Sequence, residues 1–128
     1  MTTLDFTIPR ELWLSSNRPI LNRGYRQRIV GALQLLARAA VARHEPIEGR
    51  VAAHWTVRYP KGVRRDKGDA ANAQPTTKAL LDGVVKAGLL FDDGPAWIVS
   101  ETFQRGPNLD RAGDHEIRLV LVAQEVPW

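Results

Sequence analysis

Residues 50–88 read RVAAHWTVRYPKGVRRDKGDAANAQPTTKALLDGVVKAG. The first ten alternate: Val51, Ala53, Trp55, Val57 and Tyr59 are apolar, and Ala52, His54, Thr56 and Arg58 fall between them. A period of two places the first set on one face, which predicts a strand over 50–59. Pro60 and Gly62 stop the pattern, and the loop that follows is basic and leads into a turn at Asp69-Ala70-Ala71-Asn72. Pro75 then suits the first turn of a helix, and Leu80, Leu81, Val84 and Val85 fall within one arc of a helical wheel. The spacing predicts a helix over 75–87, ended at Gly88. A strand, a polar loop and an amphipathic helix in succession make the chain a mixture of α and β.

Working outward, Leu4, Phe6 and Ile8 alternate with Asp5 and Thr7, a first strand stopped by Pro9. Pro19 and the Ser15-Ser16-Asn17 cluster favour irregular backbone over 10–23, with Trp13 and Leu14 pinned to the core. Ile29, Leu33, Leu36 and Ala40 recur at helical spacing and predict a helix over 22–42, capped by Asn22. Asp92-Asp93-Gly94-Pro95 reads as a turn, 96–103 as a mixed strand, and 117–123, nearly continuous in apolar residues, as a central strand. Between them, Gly106, Pro107, Asn108 and Gly113 read as a hairpin connection. The order β-α-β-α-β-β implies one α+β domain over 1–128, a mixed sheet of about four strands with two main helices on one face. Four tryptophans and many valines exceed one small layer, so a homodimer burying the second face is expected.

The 128 residues match one ordinary domain, and 44% hydrophobic with 25% charged residues is the composition of a folded chain. A net charge of +4 and a pI near 10.0, with most cations arginine, favour a polyanionic partner. Arg26, Arg28, Arg38 and Arg43 fall off the apolar stripe of the first helix, as a solvated face or outer DNA contacts would. The absence of cysteine excludes disulfides, thiolate metal sites and cysteine nucleophiles. No apolar run has the length of a bilayer span or signal, so a cytoplasmic protein with no membrane partner is expected.

His44, His54 and His115 are scattered without metal-ligand spacing, no nucleophile elbow surrounds Ser15, Ser16 or Ser100, and no phosphate-binding glycine loop is present. Carboxylates remain. Asp66, Asp69, Asp82, Asp92 and Asp93 lie among Arg64, Arg65, Lys67, Lys78 and Lys86. Oxygen ligands for a hard cation therefore alternate with cations for phosphate, the combination a nucleic-acid phosphodiester requires. Each taken singly reads equally as a turn cap or a surface ion-pair rung.

Asp69, Asn72, Pro75-Thr76, Lys78, Ala79-Leu80-Leu81-Asp82-Gly83, Ala87-Gly88 and Asp92-Asp93 together resemble the signature of the RusA family of Holliday-junction resolvases. There an Asp-x-Asp-Asn element precedes a lysine, an aspartate four residues on, an alanine-glycine turn and an Asp-Asp pair. Ser16-Asn17 is similar, more loosely, to that family's early Ser-Asn element. The resemblance implies a RusA-like homodimeric endonuclease of DNA recombination and repair, which binds four-way DNA junctions and resolves them by paired nicks with Mg²⁺. It implies Asp69 and Asp93, with Asp92 beside it, as metal ligands. It implies Lys78 as the catalytic cation, with Asp82 either its orienting partner or a ladder residue and Asn72 in support. Arg64, Arg65 and Lys67 are the expected DNA contacts, with Lys61 and Lys86 further out.

One position departs from that pattern. The family's second aspartate would stand at 71, where this chain has Ala71. If the segment is extended, positions 69 and 71 face one way, and alanine removes one oxygen ligand and one negative charge from the metal face. Asp66 has the wrong strand parity to replace it. The expectation is a junction-binding chain that cleaves little or not at all. The alternative is a native non-catalytic junction-binding protein.

Overall fold

The computed structural model describes residues 1–64 and 66–125. Its elements are β1 (Thr2–Ile8), a 3₁₀ turn (Arg10–Leu12), α1 (Arg23–Val41), β2 (Val51–Arg58), a 3₁₀ turn (Ala70–Ala73), α2 (Gln74–Lys86), β3 (Ile98–Arg105) and β4 (His115–Ala123). The sheet order is β1-β4-β2-β3, with β2 and β3 parallel and both other pairings antiparallel. This is the expected α+β architecture of four strands in a mixed sheet and two helices. Arg65, one of the expected DNA contacts, lies outside the described residues.

Alternation decides which face is covered. Leu4, Phe6 and Ile8 of β1, Val51, Ala53, Trp55 and Val57 of β2, and Ile117, Leu119 and Leu121 of β4 are buried on one side. Against them pack Ile29, Leu33, Ala37 and Val41 of α1 and Leu80, Leu81 and Val84 of α2. Asn22 caps α1 as expected, its side-chain oxygen accepting the Tyr25 N–H at 2.9 Å. The helices touch at Gly83, where a Cβ would come within 2.7 Å of the Ala37 Cβ and 2.8 Å of the Gln34 Cα. Only glycine lets α2 approach that closely.

Two expectations are corrected. The connection between β3 and β4 is not a hairpin, because β4 inserts between β1 and β2 while β3 takes the far edge beside β2. The apolar β4 buries His115, Ile117, Leu119 and Leu121, whereas exposed Ser100, Glu101, Thr102 and Gln104 suit β3 to an edge. Three of the four tryptophans also do not signal a second apolar layer, and Trp128 lies outside the described residues. Trp55 is fully buried on the helix side, Trp13 packs against the same core, and Trp97 lies against Phe91. Much of the open face is polar instead, with Arg118 bonded to Asp5 at 2.7 and 3.2 Å and Arg58 to Glu116 at 3.2 Å.

Candidate functional site

Asp69 is where the loop after β2 turns into helix. Its backbone is extended (φ −60°, ψ 128°), and its Oδ1 accepts the Ala71 N–H at 3.0 Å, so it is the N-cap of the Ala70–Ala73 turn. That turn runs directly into α2, with Pro75 in the first positions. Positions 69–71 are therefore not a strand, and the parity argument for Asp69, Ala71 and Asp66 does not apply. In a 3₁₀ turn, residues three apart eclipse, and in an α-helix residues four apart share a side. Ala71, Gln74, Lys78 and Asp82 accordingly form one row, the first three exposed and Asp82 half-buried.

Lys78 is the hub of that row. Its Nζ donates to Asp93 Oδ2 at 2.8 Å and to Asp82 Oδ1 at 3.0 Å. Those two hydrogen bonds raise the Lys78 pKa above its ordinary value, and the bond from Lys78 holds the Asp93 carboxyl below the usual carboxylate range. Asp82 thus touches Lys78 as an orienting partner would. Asp92 is exposed, and its Oδ1 accepts the backbone N–H of Asp93 at 2.8 Å. One cation faces two carboxylates directly, so this cluster is net negative.

An aromatic block holds Asp69 from below. The Tyr59 hydroxyl donates to the Asp69 carbonyl at 2.9 Å. Tyr59 meets Trp13 edge-on at 5.8 Å and His115 at 5.1 Å, and Trp13 stacks on His115 at 3.6 Å between centroids. Gly68, at φ +71°, brings the chain against the Tyr59 ring, where a Cβ would lie 2.8 Å from ring carbons. Burial pushes the Tyr59 hydroxyl pKa up and lowers that of His115 to about 4, and His115 Nδ1 has no partner.

The basic loop is fastened by residues that sequence reading missed. Arg105 donates to the carbonyls of Lys67 at 3.2 Å and Arg64 at 3.5 Å and to Asn108 Oδ1 at 2.6 Å, while its guanidinium lies 5.2 Å from the Tyr59 ring centre. Asn108 in turn donates to the Val63 carbonyl at 2.6 Å. Tyr59, as the last apolar residue in the β2 alternation, carried a signal; Arg105 and Asn108 carried none beyond their loop setting. Arg64 pairs with Asp66 at 2.9 Å, and Lys67 is exposed. Asn72 is half-buried, its carbonyl accepting the Ser16 N–H at 3.0 Å. Thr76, fully buried, bonds the Leu14 N–H and carbonyl at 2.9 and 2.8 Å, so the segment before α1 is laced to the start of α2.

Magnesium, implied by the resemblance, requires octahedral oxygen ligands, of which one or two are carboxylates. Among the described residues, no group of three or more His, Asp or Glu side chains is arranged to hold a metal ion. Asp93 Oδ2 is engaged by Lys78, Asp69 Oδ1 by the Ala71 N–H, and Asp92 Oδ1 by the Asp93 N–H. The residues as they stand do not fit a resident magnesium ion. The structure brings Lys78, Asp82 and Asp93 into one bonded cluster, with Asp92 adjoining Asp93, and sets Asp69 and Asn72 on the turn that leads into their helix. No helix among the described residues is long and apolar enough to cross a membrane. Compared with known proteins, the chain matches no protein-family model and no curated protein.

Proposed function

We propose that this chain is a RusA-like protein that binds four-way DNA junctions and, as its sequence stands, nicks them little or not at all. The observation that carries this reading is the row Ala71, Gln74, Lys78 and Asp82, with Asp93 joined to Lys78. A lysine held between two carboxylates is a fixed point charge of the kind that stabilises charge developing on a phosphate oxygen. Both carboxylates beside it are engaged by the lysine itself, and no third one stands in the row. Position 71 is the vacancy in the row, since a carboxylate there would extend from the same side of the helix as Lys78 and Asp82. Two copies about a twofold axis would present two such sites to a junction that is itself nearly twofold.

The test is Ala71→Asp. Nicking of a synthetic four-way junction in Mg²⁺ is expected to rise at least tenfold over the unaltered chain, with binding of uncut junction preserved. A chain that binds junctions equally well and still does not nick after that change is a junction binder by nature, and the damaged-nuclease reading fails. If the unaltered chain shows no preference for a junction over duplex DNA, the RusA-like reading itself fails. Light scattering on the free protein tests the homodimer.

A further inference from the structure

From Leu12 to His44 the chain contains no aspartate or glutamate, yet it carries Arg18, Arg23, Arg26, Arg28, Arg38 and Arg43. All six are exposed, and none makes an ion pair or a side-chain hydrogen bond among the described residues. Elsewhere several cations are neutralised. Arg58, Arg64, Lys78, Arg111 and Arg118 each face a carboxylate within 3.3 Å. Arg10, Arg50, Lys61 and Lys67 are exposed and also without an ion pair among the described residues, but the stretch through α1 combines six such cations with no carboxylate at all.

Shape adds to charge. Residues 21–28 are all exposed, so the start of α1 is open to solvent. The hydrophobic stripe of α1 begins only at Ile29. Within that free arm Arg23, Arg26 and Arg28 surround Tyr25, which is 47% exposed. The entry to the arm is fixed, because Ser16 donates to the Asn72 carbonyl at 3.0 Å and Leu14 is bonded to Thr76. Arg18 follows Ser16 by two residues and so leaves the body beside the turn that carries Asp69 and Ala71.

We propose that the α1 arm is a binding site for the phosphate backbone of DNA and supplies most of the chain's electrostatic affinity. Guanidinium forks suit phosphate oxygens, and six unopposed cations against one charge per roughly 1.7 Å of duplex axis make a matched pair. A second copy of the chain suits the surface less well, because a twofold interface would set arginines against the same arginines. The Lys78 cluster, one cation against two carboxylates, adds no net attraction for DNA at a distance, so a separate cationic surface is needed to carry the duplex. The inference deepens the reading of this chain as a junction-binding protein, but it stands or falls on duplex DNA alone.

The experiment compares the triple variant Arg23→Ala, Arg26→Ala, Arg28→Ala with Arg58→Ala, Arg111→Ala, Arg118→Ala, which removes the same charge from the open sheet face and the loop before β4. Binding to a 30-base-pair duplex and to a four-way junction is measured across a salt series. The arm variant is expected to lose about tenfold or more in duplex affinity near 0.1 M salt, and its log–log salt slope should fall by about three. The sheet variant should retain the slope, and the arm changed to three lysines should bind close to the unaltered protein. Equal losses in the two alanine variants, or an unchanged slope in the arm variant, overturn the proposal. So does a dimer in light scattering that the arm variant alone converts to monomer, since the arm would then be a self-contact. Loss of junction preference in the unaltered chain, with the duplex results as expected, defeats the RusA-like reading and leaves the arm standing.

Discussion

At the scale of single residues, the clearest acid response is expected from His115. Burial holds its pKa near 4 in the folded chain against an ordinary 6.5, and it stacks on Trp13 with Nδ1 unbonded. The unfolded chain binds the proton first, so His115 costs nothing above about pH 6.5 and progressively destabilises the fold as pH falls toward 4. The loss across that window is roughly 3 kcal/mol. Urea midpoints of His115→Phe, which keeps the stack, should therefore fall less steeply between pH 6.5 and 4 than those of the unaltered chain. Lys78 is a different case. Its side chain is 59% exposed, so its two ion pairs together contribute no more than about 1 kcal/mol, and Lys78→Met should barely move the thermal midpoint. Combined with Ala71→Asp, however, the same change should abolish whatever junction nicking the aspartate confers, as measured by product strands on a denaturing gel.

Among elements, the contact of α1 with α2 is the most exacting. Gly83→Ala puts a methyl carbon within 2.8 Å of the Gln34 backbone, which cannot move without shifting α1. A loss of about 1–3 kcal/mol is expected, read from denaturant midpoints, with DNA affinity at low denaturant unchanged. The helices and strands themselves were legible, because each has a period that burial enforces: two in β2, near 3.6 in α1 and α2. A turn at Asp69–Asn72 was legible too, but not its 3₁₀ form running straight into α2, since Ala-Ala-Asn-Ala has neither period nor bulk. Asp69 was expected as a metal ligand facing the same way as position 71, and its Oδ1 is used as a cap, a second use of the carboxylate that residue spacing does not reveal. The i, i+4 bond from Lys78 to Asp82 follows from helical geometry, whereas the bond to Asp93, fifteen residues away, needed the fold to bring α2 and the turn after it together. Strand pairing was the largest error: glycine and proline between β3 and β4 announce a turn but not the neighbour, which the apolarity of β4 decided.

For the whole molecule, charge is sorted by region. The open face neutralises its arginines with Asp5, Asp114 and Glu116, the Lys78 cluster is acidic, and α1 is left with cations alone. DNA affinity should accordingly be strongly dependent on ionic strength, falling steeply between 50 and 200 mM salt, which a filter-binding titration at those two concentrations checks. The sheet order has one more consequence, for how the protein is made. β1 pairs only with β4, Asp5 facing Arg118 across 113 residues of chain, and β4 also supplies the inner neighbour of β2. During synthesis the first strand must therefore wait, unpaired and half apolar, until the segment from His115 has left the ribosome. Helix formation can run ahead, but closure of the sheet waits on β4 and follows the helices that were ready before it.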